Sequence, residues 1–277
     1  MAAVFLILLA AFSLWIYWGN TSIQTTQVRI ASKKIPASFH GFRIVQISDL
    51  HNAEFGKCQS RLLGAVKETS PDLIAVTGDL IDSRHTDVEK AMDFIVGVVR
   101  IAPVYYVTGN HEARTGQYAI LKKKMEDAGV SILKNEGAEI PRGKDFIRLL
   151  GLEDPAFADQ RGSNAENAAL VGAKLKGMRS EDGAYTVLLS HRPELFDAYA
   201  AKGIDLALCG HAHGGQIRLP LIGGLFVPNQ GFFPKYSEGV HEKGRTKMAV
   251  SRGLGNSIAP VRINNRPELV VITLSTE

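Results

Sequence analysis

Residues 43–51 read RIVQISDLH: a short apolar run that stops on Asp49-Leu50-His51. The same design recurs four times. LIAVTGD (73–79), VYYVTGNHE (104–112), YTVLLSH (185–191) and IDLALCGHAH (204–213) each end an apolar run on Asp, Asn or His. Runs this short, bounded by Gly and polar residues, read as buried strands. An α/β sheet gathers the carboxyl ends of its strands at one edge, where ligands bind. Five segments far apart in sequence are therefore predicted to converge on one site. Five of the eight histidines lie in them, an order that scattered structural histidines would not show.

Working outward, further strand-like runs lie at 147–152, 216–219, 248–251 and 269–274. Helical patterns near 58–69, 86–100 and 116–128 separate the early strands. Alternating strand and helix argues for parallel βαβ units. The second half carries more strands and fewer helices, which predicts a second sheet. The expected fold is α/β, a two-sheet β-sandwich flanked by helices. Residues 153–182 read as a surface excursion with one helix.

The residue types define the chemistry. Asp49 and His51, and likewise His211 and His213, are two apart; on an extended strand they would point the same way and share one cation. Asp79 follows Gly78 and has two oxygens with which to bridge two metals. Asn110 offers a neutral carbonyl oxygen, beside the imidazole of His111; His191 closes the fourth segment. Mixed N/O ligands suit Mn, Fe, Zn, Co or Ni rather than a thiolate zinc site or an all-oxygen calcium site. Glu112 and Asp82 are candidates to orient ligating histidines. Of Arg192, Arg252, Arg262 and Arg266, the best candidate for a phosphate contact is Arg252, in the glycine-flanked SRGLG segment. His40, His85 and His241 fall outside the motifs and read as surface or packing residues.

The series SDLH, TGDLID, TGNHE, LSHRPE and CGHAHGGQ resembles the calcineurin-like metallophosphoesterase superfamily, from about residue 43 to the end. SDLH, CGHAHGGQIRLP and the later VSRGLGNS and RPEL, with an apolar N-terminus, resemble its membrane-associated bacterial branch. The resemblance implies that Asp49, His51, Asp79 and His213 hold one divalent ion. Asp79, Asn110, His191 and His211 would hold a second, with Asp79 bridging. It makes His111 the general acid or the contact to substrate phosphate, with Glu112 orienting it. The implied reaction is hydrolysis of a phosphodiester or pyrophosphate at the membrane surface. UDP-2,3-diacylglucosamine, a lipid-linked substrate, falls within the resemblance. A general phosphodiester or nucleotide phosphohydrolase is the alternative within the same chemistry. A non-catalytic metal-binding scaffold is the alternative outside it, and the complete ligand set argues against that.

The rest of the chain sets the context. It has 277 residues, 45% hydrophobic and 22% charged, with a net charge of +4. No Lys/Arg stripe interleaved with aromatics marks a nucleic-acid surface, so no specific nucleic acid is expected. Cys58 and Cys209 form no C-x-x-C and no disulfide framework. Residues 1–18 carry no charged side chain. As a helix they would span about 27 Å, close to the hydrocarbon thickness of a bilayer. They read as an uncleaved single-pass anchor, 19–40 as a linker and 41–277 as the metallophosphoesterase domain. Arg29, Lys33, Lys34 and Arg43 follow the anchor, which places the domain on the cytoplasmic face by the positive-inside rule. Residues 219–237 (LPLIGGLFVPNQGFFPKYS) are apolar but broken by Gly and Pro. Two readings stay open for this loop: core, or a wall for a lipid-like substrate, with Phe232 and Phe233 on it.

Overall fold

Side chains alternate along each central strand, and that alternation sorts the core into three apolar layers. The computed structural model describes residues 1–178, 182–257 and 260–277. Helix α1 (Ala2–Thr21) leads into strand β1 (Gln24–Ala31) and then β2 (Arg43–Ile47). Next come α2 (Ser60–Glu68), β3 (Leu73–Thr77), α3 (Val88–Val98), β4 (Val104–Val107), α4 (Asn110–Arg114), α5 (Tyr118–Asp127) and β5 (Ser131–Ile132). The second half begins with β6 (Glu136–Arg142), β7 (Asp145–Gly151), α6 (Asn164–Met178), β8 (Thr186–Leu189), α7 (Phe196–Ala201) and β9 (Leu206–Cys209). Two small hairpins follow, β10 (Arg218–Leu219) with β11 (Gly223–Gly224), and β12 (Phe226–Val227) with β13 (Gly231–Phe232). The chain closes with β14 (Gly239–Lys243), β15 (Thr246–Val250) and β16 (Glu268–Ser275).

One six-stranded sheet has the order β1-β16-β2-β3-β4-β5, the other β14-β15-β9-β8-β7-β6. In the first, β2 to β5 are parallel and β16 runs against β2. In the second, β15, β9, β8 and β7 are parallel, with β14 and β6 antiparallel at the edges. Leu73 and Ala75 of β3 join Val187 and Leu189 of β8 and Leu206 and Leu208 of β9 between the sheets. Ile74 and Val76 face the other way, toward Leu62, Val66, Phe94 and Ile95 of α2 and α3. Leu188, Ala207 and Cys209 turn outward to Val171, Leu175 and Tyr199 of α6 and α7. Strands apolar on both faces are what a sheet covered on both sides requires. The observed order is helix, sheet, sheet, helix, as the motif spacing predicted.

Two details differ from the sequence reading. Residues 24–31, read as part of a linker, form β1, parallel to β16 over eight residues. Its composition looks polar because it is an edge strand: only Thr26, Val28 and Ile30 face inward, and Thr25, Gln27 and Arg29 are exposed. The basic residues after the helix are likewise part of the fold. Arg29 donates to Ser275 Oγ and the Glu277 carbonyl, and Lys34 pairs with Asp205 at 2.5 Å. The excursion at 153–182 carries one helix, α6; its residues 179–181 lie outside the described residues. Helix α1 is long and apolar enough to cross a membrane, and none of its residues is buried. Cys58 is exposed and Cys209 buried, and neither forms a disulfide.

Candidate dinuclear metal centre

The site forms where the carboxyl ends of β2, β3 and β4 in one sheet meet those of β8 and β9 in the other. Its residues do not continue the strands. Asp49, His51, Asp79, His211 and His213 all adopt positive φ, between 46° and 67°. Left-handed backbone at a non-glycine residue costs roughly 1–3 kcal/mol and persists only where the surroundings enforce it, typically at functional sites. Asp49 and His51 are thus brought together by tight turns, not by the extended pairing that their spacing suggested. Glycine makes the crowding feasible. A Cβ on Gly109 would sit 2.2 Å from Asp79 Oδ1, and one on Gly210 would sit 1.9 Å from Ser48 Oγ.

Besides a grouping of His51, Asp82 and His111, two clusters result among the described residues. Asp49, His51 and His213 converge in one; Asp79, His191 and His211 converge in the other. In the first, His51 Nε2 faces His213 Nε2 at 3.1 Å, and His213 Nε2 lies 3.2 Å from Asp49 Oδ1. In the second, His191 Nε2 lies 3.1 Å from Asp79 Oδ2. The same Asp79 oxygen is 3.5 Å from His51 Nε2, so this carboxylate stands between the clusters. All six side chains are buried.

The hydrogen bonds show what the clusters lack. His191 Nδ1 lies 2.8 Å from the Thr77 carbonyl oxygen, which can only accept, so Nδ1 carries the proton. In the neutral form that ligates a metal, His191 therefore turns its Nε2 lone pair to the side of the Asp79 carboxylate. His191 Nε2 and Asn110 Oδ1 are both buried without a hydrogen-bond partner. Buried acceptors facing acceptors are costly unless a cation lies among them. The electrostatics agree. Burial works against charge on His51 and His191, yet Asp49, Asp79 and Asp82 hold His51 up at about 9, and Asp79 and Asp49 hold His191 up at about 10. Burial likewise opposes ionisation of Asp49 and Asp79, and the surrounding histidines still keep both carboxyls well below the usual range. Burial, with Arg192, holds His211 well below its usual range, and burial lowers His213, so these two stay neutral ligands; clustered Asp and His groups of this kind suit a dinuclear divalent metal site.

The neighbouring residues divide the remaining roles. Glu112, expected to orient His111, instead accepts from the backbone N–H groups of Asp79 (2.9 Å), Leu80 (2.8 Å) and Gly109 (2.7 Å). Fully buried, it ties the Asp79 turn to the Asn110 turn. Asp82 is the group beside the histidines: its Oδ2 lies 3.7 Å from His51 Nδ1 and 3.7 Å from His111 Nδ1. His111 Nδ1 accepts the Ser83 backbone N–H at 3.0 Å. That obligatory donor leaves the proton of neutral His111 on Nε2. Burial, with help from His51 and His191, pushes its pKa down to about 4.

The arginines are placed differently from expectation. Arg252 pairs with Glu268 at 3.0 Å and lines a pocket at the base of α1. Arg84 and Arg114, which the sequence reading passed over, line the cleft beside the clusters. Arg192 grips Asp154 through two bonds and brings its Nη1 within 3.2 Å of His211 Nε2. Arg262 is entirely buried, 3.3 Å from His213 Nδ1. The cleft holds about 490 Å³; Ile217, Leu225, Phe226 and Pro228 form its apolar wall.

Comparison with known proteins adds a family. Residues 42–215 match the model of the calcineurin-like phosphoesterases. The chain is 31% identical to the metallophosphoesterase YkuE of Bacillus subtilis, over 92% of this chain and 86% of that one. It is 27% identical to the phosphodiesterase YaeI of Escherichia coli, over 84% and 82% respectively. A zebrafish transmembrane protein with metallophosphoesterase domain is 30% identical over 91% of this chain, which spans 57% of that longer relative. Among solved structures, TT1561 of Thermus thermophilus superposes with a TM-score of 0.51 at 12% identity, covering 77% of this chain and 90% of that one, a likeness of fold alone.

Proposed function

The chain belongs to the calcineurin-like phosphoesterase family, and from that premise we propose a dinuclear metal-dependent phosphoesterase that cleaves phosphodiester or pyrophosphate bonds at a membrane surface. The observation that supports the reading is the convergence of Asp49, His51 and His213 and of Asp79, His191 and His211, with Asn110 Oδ1 buried and without a partner. Asp49, His51 and His213 would hold one ion and Asn110, His191 and His211 the other, with Asp79 placed to serve both. When bound, two such ions supply Lewis acidity toward phosphate oxygens and lower the pKa of a water.

The protein side follows from the geometry. His111 presents a neutral Nε2–H to the cleft, held in that tautomer by Ser83. This supports a hydrogen-bond donor to a phosphate oxygen rather than an imidazolium acid. Arg114 brings positive charge to the cleft for the remaining phosphate charge, and Arg84, paired with Asp82 at 3.0 Å, lines it beside His111. Glu112 keeps the two ligand turns in register. The apolar wall supports an ester carrying a bulky apolar group, of which a lipid-linked phosphate is one. Helix α1, apolar and unburied, supports a membrane anchor.

The test is a hydrolysis panel on detergent-solubilised full chain. After chelation, phosphomonoesters, phosphodiesters and nucleotide-linked pyrophosphates are offered with Mn, Fe, Zn, Co or Ni. Metal-restored cleavage of a diester or pyrophosphate is the expected result. No cleavage of any member with any metal would return the chain to a metal-binding scaffold.

A further inference from the structure

Helix α1 does not leave the folded domain at its last residue. Residues 2–14 are exposed, and contact with the domain begins at Trp15. Trp15 and Ile16 line a pocket with Arg252, Arg262 and Asn264, and the Arg266 guanidinium stacks over the Trp18 ring at 4.5 Å. Asn20 clasps the backbone of Arg262 from both sides. Its Oδ1 accepts the N–H at 2.7 Å and its Nδ2 donates to the carbonyl at 3.0 Å. The free part of the helix, residues 2–14, is about 20 Å long at 1.5 Å per residue. A bilayer core is about 30 Å thick. Seating the whole apolar helix therefore draws the domain surface around Arg262–Asn264 to the membrane.

The hairpins β10–β11 and β12–β13 are built onto that surface. Ile217 bridges to Ile263, Arg218 N–H donates to the Ile263 carbonyl, and Asn264 Nδ2 donates to the Arg218 carbonyl. Among the described residues after α1, ten large apolar side chains are exposed, and six belong to this region: Leu219, Leu221, Ile222, Phe226, Phe232 and Phe233. Leu221 is wholly exposed at the tip of its hairpin, and Phe226 meets Phe232 edge to face at 5.3 Å. No carboxylate lies between Asp205 and Glu238; the charged residues there are Arg218 and Lys235. An apolar patch of this concentration marks an interaction surface. Arg218 pairs with Glu238, which leaves Lys235 as the cation of the patch; apolar side chains beside a cation suit the headgroup region of a bilayer.

We infer that residues 219–233 are a second membrane contact, seated in the bilayer interface beside α1. This rests on the reading of α1 as a membrane span. The contact fixes the tilt of the domain, because helix base and hairpins meet the bilayer at two places on one rigid surface. It also places the cleft, whose wall includes Leu225 and Phe226, next to the headgroups. The surface thus deepens the proposed function: it favours phosphate esters carried in the membrane plane.

The test uses the full chain in nanodiscs of neutral and anionic phospholipid, one copy per disc, with or without doxyl-labelled lipid. Single cysteines replace Leu221, Phe232, Leu14 or Ile120 in a Cys58→Ser background and carry an environment-sensitive fluorophore. Leu221 and Phe232 are exposed, so labelling leaves the fold alone. The expected result is blue-shifted, lipid-quenched emission at Leu221 and Phe232, approaching that at Leu14, with no quenching at Ile120, an exposed apolar residue outside the patch. Quenching at Leu14 alone would overturn the docking surface while the anchor stands. No quenching at Leu14 would instead remove the membrane reading of α1 itself. Equal quenching at Ile120 would deny the patch any specificity. Crosslinking of Leu221 to a second copy in detergent, without lipid quenching, would make the patch an interface between copies and overturn the proposal.

Discussion

The turns at the strand ends and the hairpins beside them lie side by side on the same cleft, and they are stabilised in opposite ways. The turns are buried and polar: strained backbone at Asp49, Asp79 and His213 is held by Glu112, Thr77 and surrounding glycines. The hairpins are exposed and apolar: two-residue strands with few buried residues, Gly224 and Val227 among them. In the turns, the clustered Asp and His groups look inward and suit cations. In the hairpins, the exposed groups look outward and imply a surface outside the chain. Mutations should therefore act on metal in the first region and on membrane geometry in the second.

The largest expected effect is at Asp79. Its carboxylate stands between both clusters, so Asp79→Asn should weaken both ions and lower turnover by ~10³-fold or more, as loss of several kcal/mol of charge stabilisation implies. Bound metal and turnover are measured together. Two ions retained at near-normal rate would place the bridge elsewhere.

His111→Ala should reduce turnover by ~10²–10³-fold, the usual loss for one preorganised donor, with metal content unchanged. Because Ser83 holds His111 in its Nε2–H tautomer, the loss should be similar across a leaving-group series. A loss confined to poor leaving groups would restore the general-acid role.

The link between the two regions gives a smaller effect. Asn20 fixes Arg262, whose Nη2 donates to the Gly255 carbonyl and reaches His213 Nδ1. Asn20→Ala should weaken binding of one ion by ~10-fold, at the low end for residues that orient a ligand, while the fold survives. Metal titration read by calorimetry checks it. An unchanged affinity would show that the helix base and the metal centre are independent. Removal of residues 1–31 should do more than free the domain, because it also strips β1 from β16; a lowered melting temperature is expected.

The smallest effect on the domain itself is expected at Phe232 and Phe233. Both are exposed, so the double change to Ser should shift stability by no more than about 0.5 kcal/mol per site. Hydrolysis of a small soluble diester should be unchanged. A clear drop in melting temperature would make these residues part of the core.

This contrast also explains what could be read in advance. Asp49, His51, Asp79, Asn110, His111, His191, His211 and His213 announce themselves because each follows a strand whose two apolar faces leave a continuous run. Strand β1 hides because an edge strand needs one inward face; the alternation of Thr26, Val28 and Ile30 was its only signal. The work of Glu112 was hidden because its partners are backbone N–H groups, which carry no residue code. Arg84 and Arg114 were hidden because a cleft is assembled from loops whose order in space the sequence does not state. The apolar character of 219–237 was plain, and its place beside α1 was not: that depends on Asn264 and Arg262, more than forty residues on.

The central claim is that the clustered acceptors form one site for two divalent ions and that both are needed for hydrolysis. The direct measurement is reconstitution of the chelated full chain with a single metal, following bound ions by elemental analysis and cleavage of a phosphodiester in the same samples. The account predicts that activity rises with bound metal and saturates at two ions per chain. Full activity at one ion, or activity indifferent to metal, would contradict it.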